Sequence, residues 1–189
     1  MNSVANDAII TATRAWIERA VIGLNLCPFA KAVYVKNQIR YVVGEARTPE
    51  ALLDDLVREL RSLSEASAEH VDTTLLIHPH VLNDFLDYND FLQLAESTVE
   101  ELNLTGVLQV ASFHPRYQFA GTSADDITNY TNRSPYPTLH LLREASVDQA
   151  VEAFPDAEEI FEKNIGTMLR LGLAGWKALA IDPPSEREP

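Results

Sequence analysis

The sequence predicts an α/β domain, with α+β as the alternative, in which a mostly parallel or mixed four-stranded sheet is flanked by helices. Two observations carry this. Apolar residues recur at helical spacing in several stretches, and between them lie short β-branched or apolar runs bounded by turn residues. A chain of 189 residues, 46% hydrophobic and 23% charged, holds enough apolar material for one full core without disulfides. Residues 1–182 are expected to form one domain and residues 183–189 a flexible tail.

The elements follow in order. Ile9, Ile10, Trp16, Ile17, Ala20, Val21 and Leu24 form an apolar stripe, with Asn6 or Asp7 available as an N-cap, so the chain opens with an amphipathic helix ending near Asn25. Pro28 then disfavours helical geometry at Cys27. Residues 39–43 read as a first strand closing at Gly44. A second helix is capped by Thr48, has Pro49 in its first turn, and buries Leu52, Leu53, Leu56, Leu60 and Leu63. Residues 73–77 form a second strand ending in His78, Pro79 and His80. A helix over residues 90–102, capped by Asn89, leads to a third strand over residues 104–113, which ends in His114, Pro115 and Arg116. Strand, helix, strand in that order predicts a right-handed crossover joining parallel neighbours. Residues 116–137 show neither period, and residues 138–142 return to strand character. Two helices, over residues 147–154 and 158–171, close the chain. The second turns Ile160, Phe161, Ile165, Met168 and Leu169 to one face and takes Gly172 as its C-cap, before an extended piece at Trp176, Leu179 and Ile181.

Composition narrows the partners. A net charge of -13 repels a phosphate backbone and an anionic bilayer, which argues against nucleic-acid and membrane-surface binding. No apolar run approaches the roughly 20 residues of a membrane span. One cysteine allows no internal disulfide, and the N-terminus lacks the basic-then-apolar pattern of a secretory signal, so the expected compartment is the cytoplasm. The glycine-rich dinucleotide and phosphate loops and the nucleophile elbow are all missing, and no cofactor is indicated.

Chemistry-bearing residues gather at one place. If the second and third strands are parallel neighbours, their ends share the sheet edge at which open α/β sheets bind ligands. His78 and His80 would then face one side, and His114 would approach them. Such a cluster suits a divalent metal or an anion, although the lack of helical His-x-x-x-His or Cys-x-x-Cys spacing argues against a metal site. His140, on the face of its strand shared with Thr138 and Leu142, reads as a satisfied core histidine, and His70 as solvent-facing. Arg116 and Arg133 bracket the long loop and can grip a carboxylate or phosphate, or neutralise Asp125 and Asp126. One of these aspartates is expected to cap a short helix across residues 127–130. Asn129 and Asn132 offer donors and acceptors for a polar ligand, or build turns. Cys27 is a nucleophile if His114, Arg116 or Arg133 approaches it; otherwise it is a buried, inert thiol. Phe85, Tyr88 and Tyr117 read as exposed aromatics that could meet a partner.

Three blocks carry a family resemblance. Ile22-Gly-Leu-Asn-Leu-Cys-Pro-Phe-Ala30, Ser112-Phe-His-Pro115 and Asn129-Tyr-Thr-Asn-Arg-Ser-Pro-Tyr-Pro-Thr-Leu-His-Leu-Leu-Arg-Glu144 together resemble the bacterial Domain of Unknown Function 1415 family. The resemblance implies a cytoplasmic bacterial domain and transfers no catalytic role. The resulting expectation is an enzyme acting on a small anionic molecule. His114 and Cys27 are its candidate catalytic residues, and His78, His80, Arg116, Asn129, Asn132 and Arg133 its candidate substrate-binding residues. A non-catalytic metal- or anion-binding module is the alternative.

Overall fold

A computed structural model describes residues 2–153 and 159–181. The expected helix boundaries at residues 154 and 158 and the expected tail at 183–189 lie outside the described residues. The chain runs α1 (Asn2–Trp16), a π-helical segment (Ile17–Ile22), α2 (Ala30–Val35), β1 (Ile39–Val43), α3 (Pro49–Glu65), β2 (Thr73–Ile77), α4 (Phe85–Glu101) and β3 (Leu108–Phe113). A 3-10 turn (Ile127–Asn132), β4 (Thr138–Arg143), α5 (Glu144–Ala153) and α6 (Ile160–Ala178) follow.

The four strands form one mixed sheet in the order β1-β2-β4-β3. β1 and β2 are parallel, and β4 runs antiparallel to both β2 and β3. The expectation that β2 and β3 are neighbours is therefore wrong. The crossover through α4 skips one position, and β4, whose Leu139 and Leu141 are fully buried, fills the gap and pairs on both sides. β2 and β3 still point the same way, so their C-terminal ends share one edge. They stand two strand spacings apart, about 9.6 Å, with the start of β4 between them.

Side-chain alternation divides the core in two. On one face Val42, Leu76, Leu139, Leu141, Leu108 and Val110 meet the leucines of α3 and Tyr88, Phe91, Ala95 and Val99 of α4. On the other, Tyr41, Leu75, Ile77 and Phe113 meet Ile9, Trp16, Ile17, Ala20 and Leu26, with Met168 and Trp176 of α6. α3 is built as expected: the Thr48 hydroxyl accepts from the Ala51 N–H, Pro49 begins the helix, and Leu52, Leu56, Leu60 and Leu63 are buried. α4 starts before the expected Asp90, because the Asp84 carboxylate caps it at the Leu86 N–H and Tyr88 belongs to its inward face. The reading of Tyr88 as an exposed aromatic is thereby corrected. β3 starts later than expected, since Asn103 and Gly106 take positive φ and turn the chain first. Gly172 breaks α6 with φ 62 and ψ 175, but the helix resumes through Trp176 rather than giving way to an extended piece.

The first helix changes its winding at Ile17, where six residues adopt π geometry before the chain turns at Asn25 with φ 55. Gly23 makes that exit possible. A Cβ there would stand 2.3 Å from the Arg19 carbonyl oxygen, a backbone atom that cannot move aside. Gly23→Ala is accordingly expected to cost about 1–3 kcal/mol in chemical denaturation, although alanine ordinarily favours a helix. An unchanged or raised stability would show that the approach is not close.

Candidate functional site

The expected meeting of three imidazoles does not occur. β2 ends at Ile77, and His78-Pro79-His80 enters a turn, so His78 is fully buried while His80 is exposed. Tyr88 lies between the other two rings, with its centroid 5.7 Å from that of His78 and 5.0 Å from that of His114. Among the described residues no group of three His, Cys, Asp or Glu side chains is placed to hold a metal ion.

Each buried imidazole has its tautomer set by its surroundings. The Arg116 N–H donates to Nδ1 of His114 at 3.0 Å, so Nε2 carries the proton and donates to the Leu82 carbonyl at 3.1 Å. Both nitrogens of His114 are therefore occupied by backbone groups. His78 donates from Nδ1 to the Val81 carbonyl at 3.1 Å, leaving Nε2 buried without a partner. Burial holds both rings down to about 4, well below the usual imidazole value of 6.5.

The loop residues bind the loop itself. Asn129 is fully buried; its Oδ1 accepts from the Phe119 N–H and the Thr122 hydroxyl, and its Nδ2 donates to the Ser123 carbonyl. Arg133 donates to the Tyr117 and Ala124 carbonyls and lies 4.1 Å over the Tyr130 ring. It does not neutralise the aspartates. Asp126 caps the 3-10 turn by accepting from the Thr128 N–H and hydroxyl, bonds that hold its carboxyl below the usual range. Asn132 donates to the Ser112 carbonyl, and exposed Arg116 reaches the Asn83 carbonyl, with Asp84 at 3.7 Å.

Cys27 is half-buried. Burial pushes its thiol up, opposed by the Phe29 and Ala30 N–H groups; His114, Arg116 and Arg133 are not among the groups acting on it. A cleft of about 480 Å³ opens nearby, between Leu24-Asn25 and the Glu162, Asn164, Thr167 and Arg170 side of α6, and contains no imidazole.

The histidine assigned to the core has the open nitrogen. His140 lies on β4 with Nε2 2.7 Å from the Thr73 hydroxyl. That hydroxyl gives its own hydrogen to the Leu141 carbonyl at 2.6 Å, so the imidazole must be the donor, and Nδ1 presents a lone pair. The ring keeps partial exposure, and Nδ1 is not among the buried atoms that lack a partner. Burial nevertheless pushes its pKa down to about 4. In the same part of this sheet face, Ala111 and Leu142 are half-exposed and Gln109 is exposed, in register with His140 and with one another. Strand alternation alone reveals which face His140 occupies. Its partner emerges only from the antiparallel register that places Thr73 diagonally across from it.

Two measurements follow from these environments. Between about pH 6.5 and pH 4 the unfolded chain holds protons on His78, His114 and His140 that the native protein does not. Their stabilisation is therefore complete above pH 6.5 and lost as pH falls towards 4. The urea midpoint is expected to drop between about pH 7.5 and pH 5; equal midpoints would contradict the lowering of these imidazoles by burial. For Cys27, alkylation of the native protein should reach half its limiting rate at a higher pH than free cysteine does. A lower midpoint would restore it as a nucleophile.

No helix among the described residues is long and apolar enough to cross a membrane. No curated protein and no solved structure matches the chain. The family model described as "Protein of unknown function (DUF1415)" matches residues 8–178, taking in all three sequence blocks, whose Ile22, Leu24, Leu26, Phe113, Tyr130 and Tyr136 pack around one apolar cluster. With nearly the whole chain matched and its distinguishing blocks packed together, this protein belongs to the DUF1415 family.

Proposed function

We propose that this protein is an enzyme for a small anionic molecule, with His140 as its acid–base residue and the open sheet surface around Gln109, Ala111 and Leu142 as its substrate platform. The observation that carries this reading is the free Nδ1 of His140. Among the described histidines, His114 has both nitrogens bonded and His78 buries its spare one, whereas His140 is oriented by a hydrogen bond and still reached from outside. Thr73 fixes the ring and keeps its proton on Nε2, leaving Nδ1 as the acceptor, the positioning that general acid–base chemistry requires.

An anion suits this site despite the protein's negative charge. With its pKa near 4, unliganded His140 is neutral at physiological pH. A negative group beside Nδ1 favours the imidazolium, so the substrate draws in the proton that then neutralises it. Gln109 supplies donors for a second polar group, and Ala111 with Leu142 an apolar bed. The raised thiol of Cys27 favours acid–base over covalent chemistry. The bacterial cytoplasm belongs to this reading, since a lone thiol suits a reducing compartment. The low pKa of His140 also favours a second reading, a module that binds the anion without converting it, because proton transfer works best with a group that titrates near the working pH.

Thermal-shift screening against anionic metabolites tests both readings. A true ligand is expected to bind wild type more tightly at about pH 5.5 than at about pH 7.5, and His140→Gln should remove that dependence. Ligands that stabilise His140→Gln as strongly as wild type at both pH values would refute the site. Conversion of the ligand separates the enzyme from the binding module.

A further inference from the structure

The cleft of about 480 Å³ beside Leu24 and Asn25 lies between the first sequence block and one flank of α6. Asn164 ties its two walls together, donating from Nδ2 to the Leu26 carbonyl at 2.9 Å. Glu162, Gly166 and Arg170 follow one another at intervals of four along the α6 wall. Arg170 folds back along the helix. Its Nη2 donates to the Thr167 hydroxyl at 3.1 Å, and its Nη1 lies 3.3 Å from where a Cβ of Gly166 would stand. The guanidinium thus rests about one turn nearer to Glu162 than its own Cα does. A larger residue at 166 would take the space it uses. Neither Glu162 nor Arg170 makes an ion pair among the described residues, so a carboxylate and a guanidinium border one cleft with their charges uncompensated.

We propose that this cleft binds a free α-amino acid, with Arg170 holding its carboxylate and Glu162 its ammonium group. The spacing carries the choice of ligand. The two charged groups of an α-amino acid stand about 3 Å apart, and with a charge-assisted hydrogen bond of about 2.8 Å at each end they bridge about 8–9 Å. About one helical turn, roughly 5.4 Å along the axis, separates the folded-back guanidinium from Glu162, and the exposed glutamate side chain supplies the remaining reach. Thr167, whose oxygen accepts from Arg170, keeps its own hydrogen for the ligand carboxylate. Leu24 offers an apolar wall to the ligand's side chain. A zwitterion also suits the overall charge of -13, because it is neutral and is not repelled at long range. A plain anion would instead meet Glu162 as a like charge. The cleft is separate from the surface around His140 and does not rest on that reading.

Isothermal titration calorimetry of the full chain against the standard L-amino acids, each taken to about 10 mM, tests this. At least one is expected to bind with a Kd below about 1 mM. For the tightest binder, the analogue lacking the ammonium group and the analogue lacking the carboxylate should each bind about tenfold more weakly. Glu162→Gln should weaken the amino acid by a similar factor but leave the analogue without the ammonium group unaffected; Arg170→Gln should spare the analogue without the carboxylate. A loss of fold would not produce that pairing, and circular dichroism checks each variant. Gly166→Leu should abolish binding, and His140→Gln should leave it unchanged. Failure of every amino acid to bind overturns the proposal, as does an analogue that binds as tightly as its parent. Binding that survives both Glu162→Gln and Arg170→Gln but is lost in His140→Gln overturns it too, and assigns the ligand to the sheet surface.

Discussion

Tyr88 carries its hydroxyl into the end of the seam between β3 and β4, where it accepts from the Phe113 N–H at 3.1 Å and donates to the Thr138 carbonyl at 2.9 Å. Phe113 and Thr138 are the last facing pair of that ladder, so one side chain from α4 holds the register of two strands and docks the helix on them. Buried backbone groups left without partners cost on the order of 1–3 kcal/mol each, which makes this position hard to replace. His78 then stacks on the same ring, and His114 packs against it at a tilt. The C-terminal edge of the sheet is closed by these contacts. An edge of parallel strands that commonly receives a ligand is here filled by protein.

This closure explains why residues suited to binding serve as structure. The loop from 116 to 137 has one short helical turn and little regular hydrogen bonding, so its backbone groups need side-chain partners. Asn129, Arg133 and Asp126 provide them. An arginine that donates to two carbonyls and covers a tyrosine ring has little left for a substrate. The same accounting moves the chemical interest to the opposite face, where β4 presents His140 beside partly uncovered strand surface.

The three histidines held near 4 show how far environment governs one residue type. Burial depresses all of them. Their differences come from the acceptors and donors around each ring: one has both nitrogens used, one has a spare nitrogen sealed inside, and one has a spare nitrogen that solvent reaches. Only the last arrangement combines fixed orientation with access. That combination separates a residue able to act on a ligand from one that fills the interior.

Local chemistry was legible in the sequence. Thr48 with Pro49 and four buried leucines specified α3, the short, largely apolar run specified β2, and Asp126 specified a cap, because caps and periodicities act within a few residues. The three blocks that mark the family could also be read directly. Tertiary structure decided what depends on distant pairing. β4 enters between β2 and β3 because an antiparallel strand completes the hydrogen bonds of both, a condition no local pattern encodes. Leu82 lies 32 residues from His114, and Thr73 lies 67 from His140, so the proton on each ring is set by backbone and hydroxyl groups that only folding brings near. The sequence by itself determined which side chains could do chemistry. The register of the sheet decided which of them are spent on the fold and which one remains open.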